Sequence, residues 1–124
     1  MTRPILIVDD DELLRDAIAA VLETQNIACL SASNGQEALD VMRKDLPGLL
    51  LLDLQMPVLD GAGVVQCLQH WGIDVPIVLM SATAPSLARS AQEFGITHLL
   101  PKPFGFADLL STVDRALAGA GGPS

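Results

Sequence analysis

The apolar residues of this chain fall into two kinds of stretch that alternate along its length. Short uninterrupted apolar runs are typical of strands in a parallel sheet, because helices cover such strands on both faces. Longer stretches place apolar residues three and four positions apart, as one face of a helix requires. The predicted strands cover residues 4–8, 27–30, 49–52, 75–80 and 96–100.

A helix is predicted after each of these strands. The first runs from Glu12 to about residue 25, and Asp11 is its predicted N-cap. The second begins with a capping-box pattern, in which Ser33 is followed three residues later by Gln36, and runs to about residue 45. Glycines end the third and fourth helices. The fifth presents an apolar face that comprises Phe106, Leu109, Leu110, Val113 and Leu117.

Five strands that alternate with five helices predict a doubly wound α/β domain with a five-stranded parallel sheet. Parallel neighbours need crossover connections, which are right-handed in nearly all proteins, so helices should cover both faces. This is the (βα)5 arrangement of flavodoxin-like proteins. With 124 residues the chain has room for one such domain. We expect it to span residues 1–118, with the glycine-rich residues 119–124 as a flexible tail or the start of a linker.

Composition narrows the range of partners. The chain has 15 acidic and 7 basic residues, a formal charge of −8. This charge argues against direct binding to nucleic-acid phosphates or to an anionic membrane, and favours cations and basic protein surfaces. The apolar runs are too short to cross a bilayer, and the first residues lack the pattern of a signal peptide, so a cytoplasmic location is expected.

Charged and hydroxyl side chains follow four of the five predicted strands. Asp9 and Asp10 follow the first strand, Asp53 the third, Ser81 the fourth and Lys102 the fifth. The carboxyl ends of parallel strands lie at one edge of the sheet, where open α/β folds bind their ligands. We therefore expect these five side chains to converge.

This combination of side chains suits phosphoryl transfer. Crowded carboxylates repel one another unless a divalent cation neutralises them, so a Mg²⁺ site is predicted, with Asp10 and Asp53 as direct ligands. Asp53 could then stay ionised and attack phosphorus, which gives an aspartyl phosphate. Lys102 and Ser81 could stabilise the phosphoryl oxygens. Drawing the Ser81 hydroxyl inward would move the loop and helix that follow it.

Four sequence blocks resemble, in order and spacing, the motifs of the receiver domains of two-component response regulators, the CheY-like family. They lie at residues 5–12, 53–61, 81–82 and 102–104. The resemblance implies Asp53 as the phosphoacceptor, with Ser81 and Lys102 as phosphate partners. It also implies a Mg²⁺ site formed by the acidic pair Asp9 and Asp10, by Asp53 and by the backbone carbonyl of Gln55.

The resemblance further implies partners and fine structure. A sensor histidine kinase or histidine phosphotransfer protein would supply the phosphoryl group, and a downstream protein or fused output domain would respond. The surface of helix four, strand five and helix five is the expected contact for a partner or a homodimer. A cis peptide before Pro103 is implied as well. Leu99 stands where the family often has tyrosine or phenylalanine, while Gln55 and Thr83 occupy positions that tune the lifetime of the phosphoryl group.

Other functions fit the sequence less well. A haloacid-dehalogenase-type phosphatase needs a second aspartate two residues after its nucleophile, and Gln55 stands there. We therefore expect no enzymatic turnover beyond the chain's own phosphorylation and dephosphorylation. An FMN-binding module needs a small, polar phosphate loop after the first strand, where this chain has three carboxylates that would repel phosphate. A receiver-like interaction domain that works without phosphorylation stays open as the alternative.

Overall fold

The structure, a computed structural model, describes residues 3–121, and strands and helices alternate through this range. The strands are β1 (Ile5–Val8), β2 (Cys29–Ala32), β3 (Leu49–Asp53), β4 (Ile77–Ser81) and β5 (His98–Pro101). The helices are α1 (Glu12–Glu23), α2 (Gly35–Lys44), α3 (Gly61–His70), α4 (Ala84–Phe94) and α5 (Phe106–Gly121).

All strand pairs are parallel, and the strand order is β2-β1-β3-β4-β5. This confirms the predicted doubly wound sheet. From β1 the chain moves outward to β2, and it then returns to place β3 on the other side of β1. The order therefore reverses between β1 and β3, and the crevice at such a switch point is where open α/β sheets bind ligands.

The central strand β3 is buried on both faces, as its apolar run predicts. Its side chains alternate between two hydrophobic clusters, because successive residues of a strand point to opposite faces of the sheet. Leu49 and Leu51 pack with residues of α1 and α5. Leu50 and Leu52 pack with residues of α2, α3 and α4. The strand is thus fixed in position up to its last residue, Asp53.

The predicted N-cap of α2 was wrong by one residue. Asn34, and not Ser33, caps the helix: its side-chain oxygen accepts a hydrogen bond from the Glu37 N–H at 2.8 Å. Ser33 instead donates its hydroxyl hydrogen to the Glu37 carboxylate at 3.0 Å. Asparagine is at least as good an N-cap as serine, and here its backbone is extended, as a cap requires. The predicted cap of α1 is confirmed, since Asp11 accepts from the Leu14 N–H.

Two of the strands that begin later than predicted, β2 and β5, do so because the preceding helix uses their first residues. β2 was predicted at residues 27–30, but the Ile27 N–H closes α1 through the carbonyl of Leu22, and pairing with β1 begins at Cys29. β5 was predicted at residues 96–100, but the Ile96 N–H bonds to the carbonyl of Ala91 at the end of α4. Hydrophobic runs mark these strands correctly, whereas their ends depend on how the helices close.

The last helix differs from its prediction at both ends. Phe106 was predicted on the inner face, yet it is 58% exposed, since the buried stripe begins one turn later at Leu109. The helix continues to Gly121, so residues 119–121, which were predicted as part of the tail, are helical. Residues 122–124 lie outside the described residues. Among the helices of residues 3–121, none has both the length and the apolar character to cross a membrane.

Candidate functional site

The predicted site residues lie together at the carboxyl edge of the sheet. Asp9 and Asp53 are 0% and 3% exposed, and Ser81 is 1% exposed. Asp10 is exposed at the mouth of the site. Lys102 follows β5 and reaches both buried carboxylates, while its backbone N–H donates to the Ser81 carbonyl at 2.8 Å. The ends of four strands thus present three carboxylates, a hydroxyl and an ammonium group to a common space.

The loop after Asp53 is folded back tightly on the strand end. The N–H of Gly61 donates to the Leu54 carbonyl at 3.1 Å. A side chain at Gly61 would collide with the Asp53 carbonyl, so this close approach requires glycine. Asp60 caps α3 by accepting from the Gly63 N–H at 2.8 Å. The loop therefore fixes the backbone on which Asp53 is carried.

Lys102 bridges the two buried carboxylates. Its Nζ lies 2.6 Å from Asp9 Oδ2 and 3.4 Å from Asp53 Oδ1. The other Asp9 oxygen accepts the Asp11 N–H at 2.9 Å, and the Arg15 guanidinium donates to the Asp9 carbonyl at 2.6 Å. Both oxygens of Asp9 are therefore engaged by the protein, whereas Asp53 has an oxygen to spare.

Burial and neighbouring charges change the proton affinities of Asp53 and Lys102. Burial, together with the negative charge of Asp9, raises the pKa of Asp53 to about 6 against the opposing effect of Lys102. For Lys102, burial alone would lower the pKa, but its hydrogen bond to Asp9 and the charge of Asp53 outweigh burial and raise it. Lys102 thus stays an ammonium group, and Asp53 is ionised at neutral pH.

The acidic residues suit a divalent cation. Asp9, Asp10 and Asp53 each offer an oxygen, and these oxygens all lie within 4.8 Å of one another. Only Lys102 forms an ion pair with this cluster within residues 3–121, so its ammonium leaves two of the three negative charges uncompensated. Hard oxygen donors of this kind are the ligands that Mg²⁺ prefers. The Gln55 N–H lies 3.5 Å from Asp53 Oδ1, which brings the Gln55 backbone close to the same space.

The hydroxyl of Ser81 is engaged by residues that the sequence did not connect to it. It donates to Gln55 Oε1 at 2.9 Å and accepts from the Thr83 N–H at 3.1 Å. Its oxygen also lies 3.3 Å from the Thr83 hydroxyl. The side chain of Gln55 is thus a site residue in its own right. The family resemblance implied that its position tunes the lifetime of the phosphoryl group, but the sequence did not predict its hydrogen bond to Ser81.

Two further expectations concern strand β5 and the loop after it. The peptide bond between Lys102 and Pro103 is cis, as the resemblance implied. Leu99 is half-buried and packs against the cluster that contains Leu79 and Leu87. A charged substitution of Leu99 would therefore disturb the core as well as the surface, and it is a poor probe of partner binding alone.

The chain matches the family model for the response regulator receiver domain over residues 5–114. Among curated proteins it is similar to the response regulator MprA of Mycobacterium tuberculosis (strain ATCC 25618 / H37Rv), at 38% identity over 118 residues that cover 94% of this chain and 51% of that protein. It is also similar to MprA of Mycobacterium avium (strain 104), at 39% identity over 91% of this chain and 50% of that protein. The chain thus spans about half the length of these relatives.

Solved structures share the fold over nearly their whole length. The receiver domain of the Francisella response regulator 1452 superposes with a TM-score of 0.86 at 25% identity, which covers 96% of this chain and 99% of that one. The chemotaxis protein CheY4 of Vibrio cholerae superposes with a TM-score of 0.84 at 27% identity, which covers 94% and 99% of the two chains. The four motif blocks lie within residues 5–114, which match the family model.

Proposed function

The chain belongs to the response regulator receiver domain family of two-component systems, and from that premise we propose that it accepts a phosphoryl group on Asp53 and changes its protein contacts in response. One observation carries this proposal: Asp53 is buried at the end of the central strand, with the Lys102 ammonium 3.4 Å from its carboxylate. A carboxylate in this position is largely shielded from water and is positioned to act as a nucleophile. The proposed donor is a phosphohistidine on a sensor kinase or a phosphotransfer protein.

The reaction requires little covalent chemistry from the protein. An oxygen of Asp53 attacks phosphorus, the bond between phosphorus and the donor's imidazole nitrogen breaks, and that nitrogen keeps the electron pair and takes up a proton. With a pKa of about 6, Asp53 is in the ionised form that attacks at neutral pH. Lys102, on its flexible stem, balances charge on the transferred oxygens, and Asp9 keeps the ammonium in place.

We propose that Mg²⁺ binds through Asp10, Asp53 and the backbone carbonyl of Gln55, with Asp9 completing the acidic pair. When bound, the cation would offset the charge that accumulates on the phosphoryl oxygens. The donor set supports this assignment, because the exposed carboxylate of Asp10 and the spare oxygen of Asp53 lie beside a backbone that the loop holds in place.

The response must pass through protein contacts. The relatives are about twice the length of this chain, so we propose either a fused output domain or a separate downstream protein as the recipient. The surface formed by α4, β5 and α5 is the proposed contact for that partner or for a second copy. We propose no turnover of another substrate, since Gln55 at its position offers no acid or base for hydrolysis.

The proposal is tested by the intact mass of the protein after incubation with phosphoramidate, a small donor whose phosphorus–nitrogen bond resembles that of phosphohistidine. We expect a phosphoryl adduct with Mg²⁺, and none with a chelator or in Asp53→Asn. Asp114→Asn is the matched control, because Asp114 is an exposed carboxylate on α5, and it should react like the unsubstituted chain. No adduct under any condition would favour the phosphorylation-independent interaction domain.

A further inference from the structure

The hydroxyl of Ser81 is fully occupied by neutral partners. A serine hydroxyl has one hydrogen to donate, and here that hydrogen goes to Gln55 Oε1 at 2.9 Å. Its lone pairs face the Thr83 N–H at 3.1 Å and the Thr83 hydroxyl at 3.3 Å. In the part of the chain that the structure describes, the hydroxyl makes no hydrogen bond to Asp53. A phosphoryl group on Asp53 must therefore compete for it.

Helix α4 lacks the cap that its sequence provides for. Thr83 stands at the N-cap with an extended backbone, and threonine is a favourable N-cap residue. Its side chain nevertheless makes no capping hydrogen bond, whereas the N-cap side chains of α1, α2 and α3 all do. The Thr83 hydroxyl instead lies against Ser81. The Thr83 hydroxyl thus contacts Ser81, and the N-terminus of α4 has no side-chain cap.

We propose that Gln55, Ser81 and Thr83 form a hydroxyl latch, in which the side chain of Gln55 positions the Ser81 hydroxyl away from Asp53 and thereby keeps Thr83 from capping α4. The inference rests on the proposed function, because the group that opens the latch is the phosphoryl group on Asp53. Gln55 is in this respect a positioning residue, since it acts through Ser81 and not on the reacting atoms.

Opening the latch begins with rotation of the Ser81 side chain. The Ser81 backbone is paired in β4 and accepts a hydrogen bond from the Lys102 N–H, so side-chain rotation is the direct way for the hydroxyl to turn toward Asp53. It would exchange a neutral amide acceptor for charged phosphoryl oxygens, and hydrogen bonds to charged groups are about twice as strong as neutral ones. The freed Thr83 hydroxyl can then accept the Ser86 N–H of the first turn. Pro85 has no N–H and cannot compete.

The resting latch is tested without any phosphodonor. Gln55→Met removes the amide acceptor from an exposed position and keeps the length of the side chain, and Gln66→Met is the matched control at an exposed glutamine of α3. We expect the Thr83 N–H, measured by amide hydrogen exchange with NMR detection, to exchange roughly two- to tenfold faster in Gln55→Met, as the loss of one neutral hydrogen bond predicts. Equal exchange in Gln55→Met and Gln66→Met would overturn the latch.

The proposed coupling between phosphorylation of Asp53 and capping of α4 by Thr83 is tested on the phosphorylated protein. Treatment with phosphoramidate and Mg²⁺ should slow exchange of the Ser86 N–H about fivefold, which corresponds to one newly formed N-cap. Thr83→Val should take up the same phosphoryl group without this slowing, while Thr83→Ser, which keeps a hydroxyl, should restore it. Equal slowing in Thr83→Val would overturn the proposed capping role.

The two proposals fail in different ways. If no adduct forms on the unsubstituted chain, the proposed function is wrong and the coupling falls with it, while the resting comparison of Gln55→Met with Gln66→Met still decides whether Gln55 positions Ser81. If the adduct forms and Ser86 exchange does not change in any variant, the proposed function stands and the coupling through Thr83 is wrong.

Discussion

Charges hold the acidic side of the site, whereas neutral hydrogen bonds hold the hydroxyl latch opposite it. On the acidic side, Asp9 is 0% exposed and its oxygens are bound by the Lys102 ammonium and by the Asp11 N–H. On the latch side, the buried hydroxyl of Ser81 is held by an exposed amide and by a residue at the start of α4. Changing the contacts of the acidic side costs a large free energy, whereas changing those of the latch side does not.

This difference assigns separate tasks to the two sides. Removing one partner of a buried ion pair costs several kcal/mol, roughly 3 to 5, so we expect the acidic side to stay in place while the proposed cation and phosphoryl group bind. A neutral hydrogen bond contributes only about 1 kcal/mol, so a new charge nearby suffices to redirect it. We infer that the acidic side, where phosphoryl transfer is proposed, is rigid, and that the hydroxyl latch, which contacts α4, is adjustable.

The largest expected effect comes from removing the charge that joins the two buried carboxylates. Lys102→Met leaves the buried carboxylate of Asp9 without its ion-pair partner, so we expect the free energy of unfolding at pH 7 to fall by about 3 kcal/mol. Urea denaturation measures this change. Lys44→Met, at an exposed position of α2, is the control and should change it by less than about 0.5 kcal/mol. Equal effects would refute a charge-held acidic side.

The raised pKa of Asp53 predicts a pH-dependent gain in stability when its charge is removed. Its pKa is about 6 in the folded state and 3.8 in the reference state, so between these values the folded protein binds the extra proton. Stability from this group is therefore lost as pH rises from about 4 to about 6 and stays lost above. In chelator at pH 7, Asp53→Asn should be more stable by up to about 3 kcal/mol, and this difference should vanish below about pH 4. A constant difference across this range would contradict the assignment.

The exposed carboxylate of the acidic side should matter for the cation and not for the fold. Asp10→Asn is expected to weaken Mg²⁺ binding about tenfold or more, because one direct ligand loses its charge, while the free energy of unfolding changes by less than about 0.5 kcal/mol. Titration calorimetry with Mg²⁺ measures the affinity. Asp16→Asn provides the control at an exposed aspartate of α1 and should leave it unchanged.

On the latch side we expect a much smaller effect on stability than that of Lys102→Met. Gln55→Met removes one neutral hydrogen bond at an exposed position, so the free energy of unfolding should fall by no more than about 1 kcal/mol. Urea denaturation of Gln55→Met and Lys102→Met under the same conditions compares the two sides directly. A loss in Gln55→Met as large as that in Lys102→Met would remove the distinction between them.

The sequence predicted the acidic side well and the latch poorly, for a physical reason. Asp9, Asp53 and Lys102 follow apolar strands, and the rule that parallel strands end at one edge brings such residues together whatever their rotamers. The latch depends on the direction in which one hydroxyl points. Tertiary contacts with Gln55 and Thr83 set that direction, and the hydrophobic periodicity of the sequence does not predict it.

The same reason explains the errors in the fold. Apolar runs located every strand and helix, because burial follows from hydrophobic pattern. The N-cap at Asn34, the start of β2 and the exposure of Phe106 depended on which of several adjacent groups made a local contact. Neighbouring residues of similar propensity compete for such contacts, and the competition is decided in the folded protein.

The central claim is that Asp53 itself carries the phosphoryl group, and chemical mapping of the modified residue tests it most directly. An acyl phosphate is reduced by borohydride to an alcohol, which converts the modified aspartate to homoserine. After treatment with phosphoramidate and Mg²⁺, reduction and proteolysis, tandem mass spectrometry should find homoserine at position 53 and unmodified aspartate at positions 9 and 10. Homoserine at either of those positions, or a phosphoryl group retained on His70 or His98, would contradict the account.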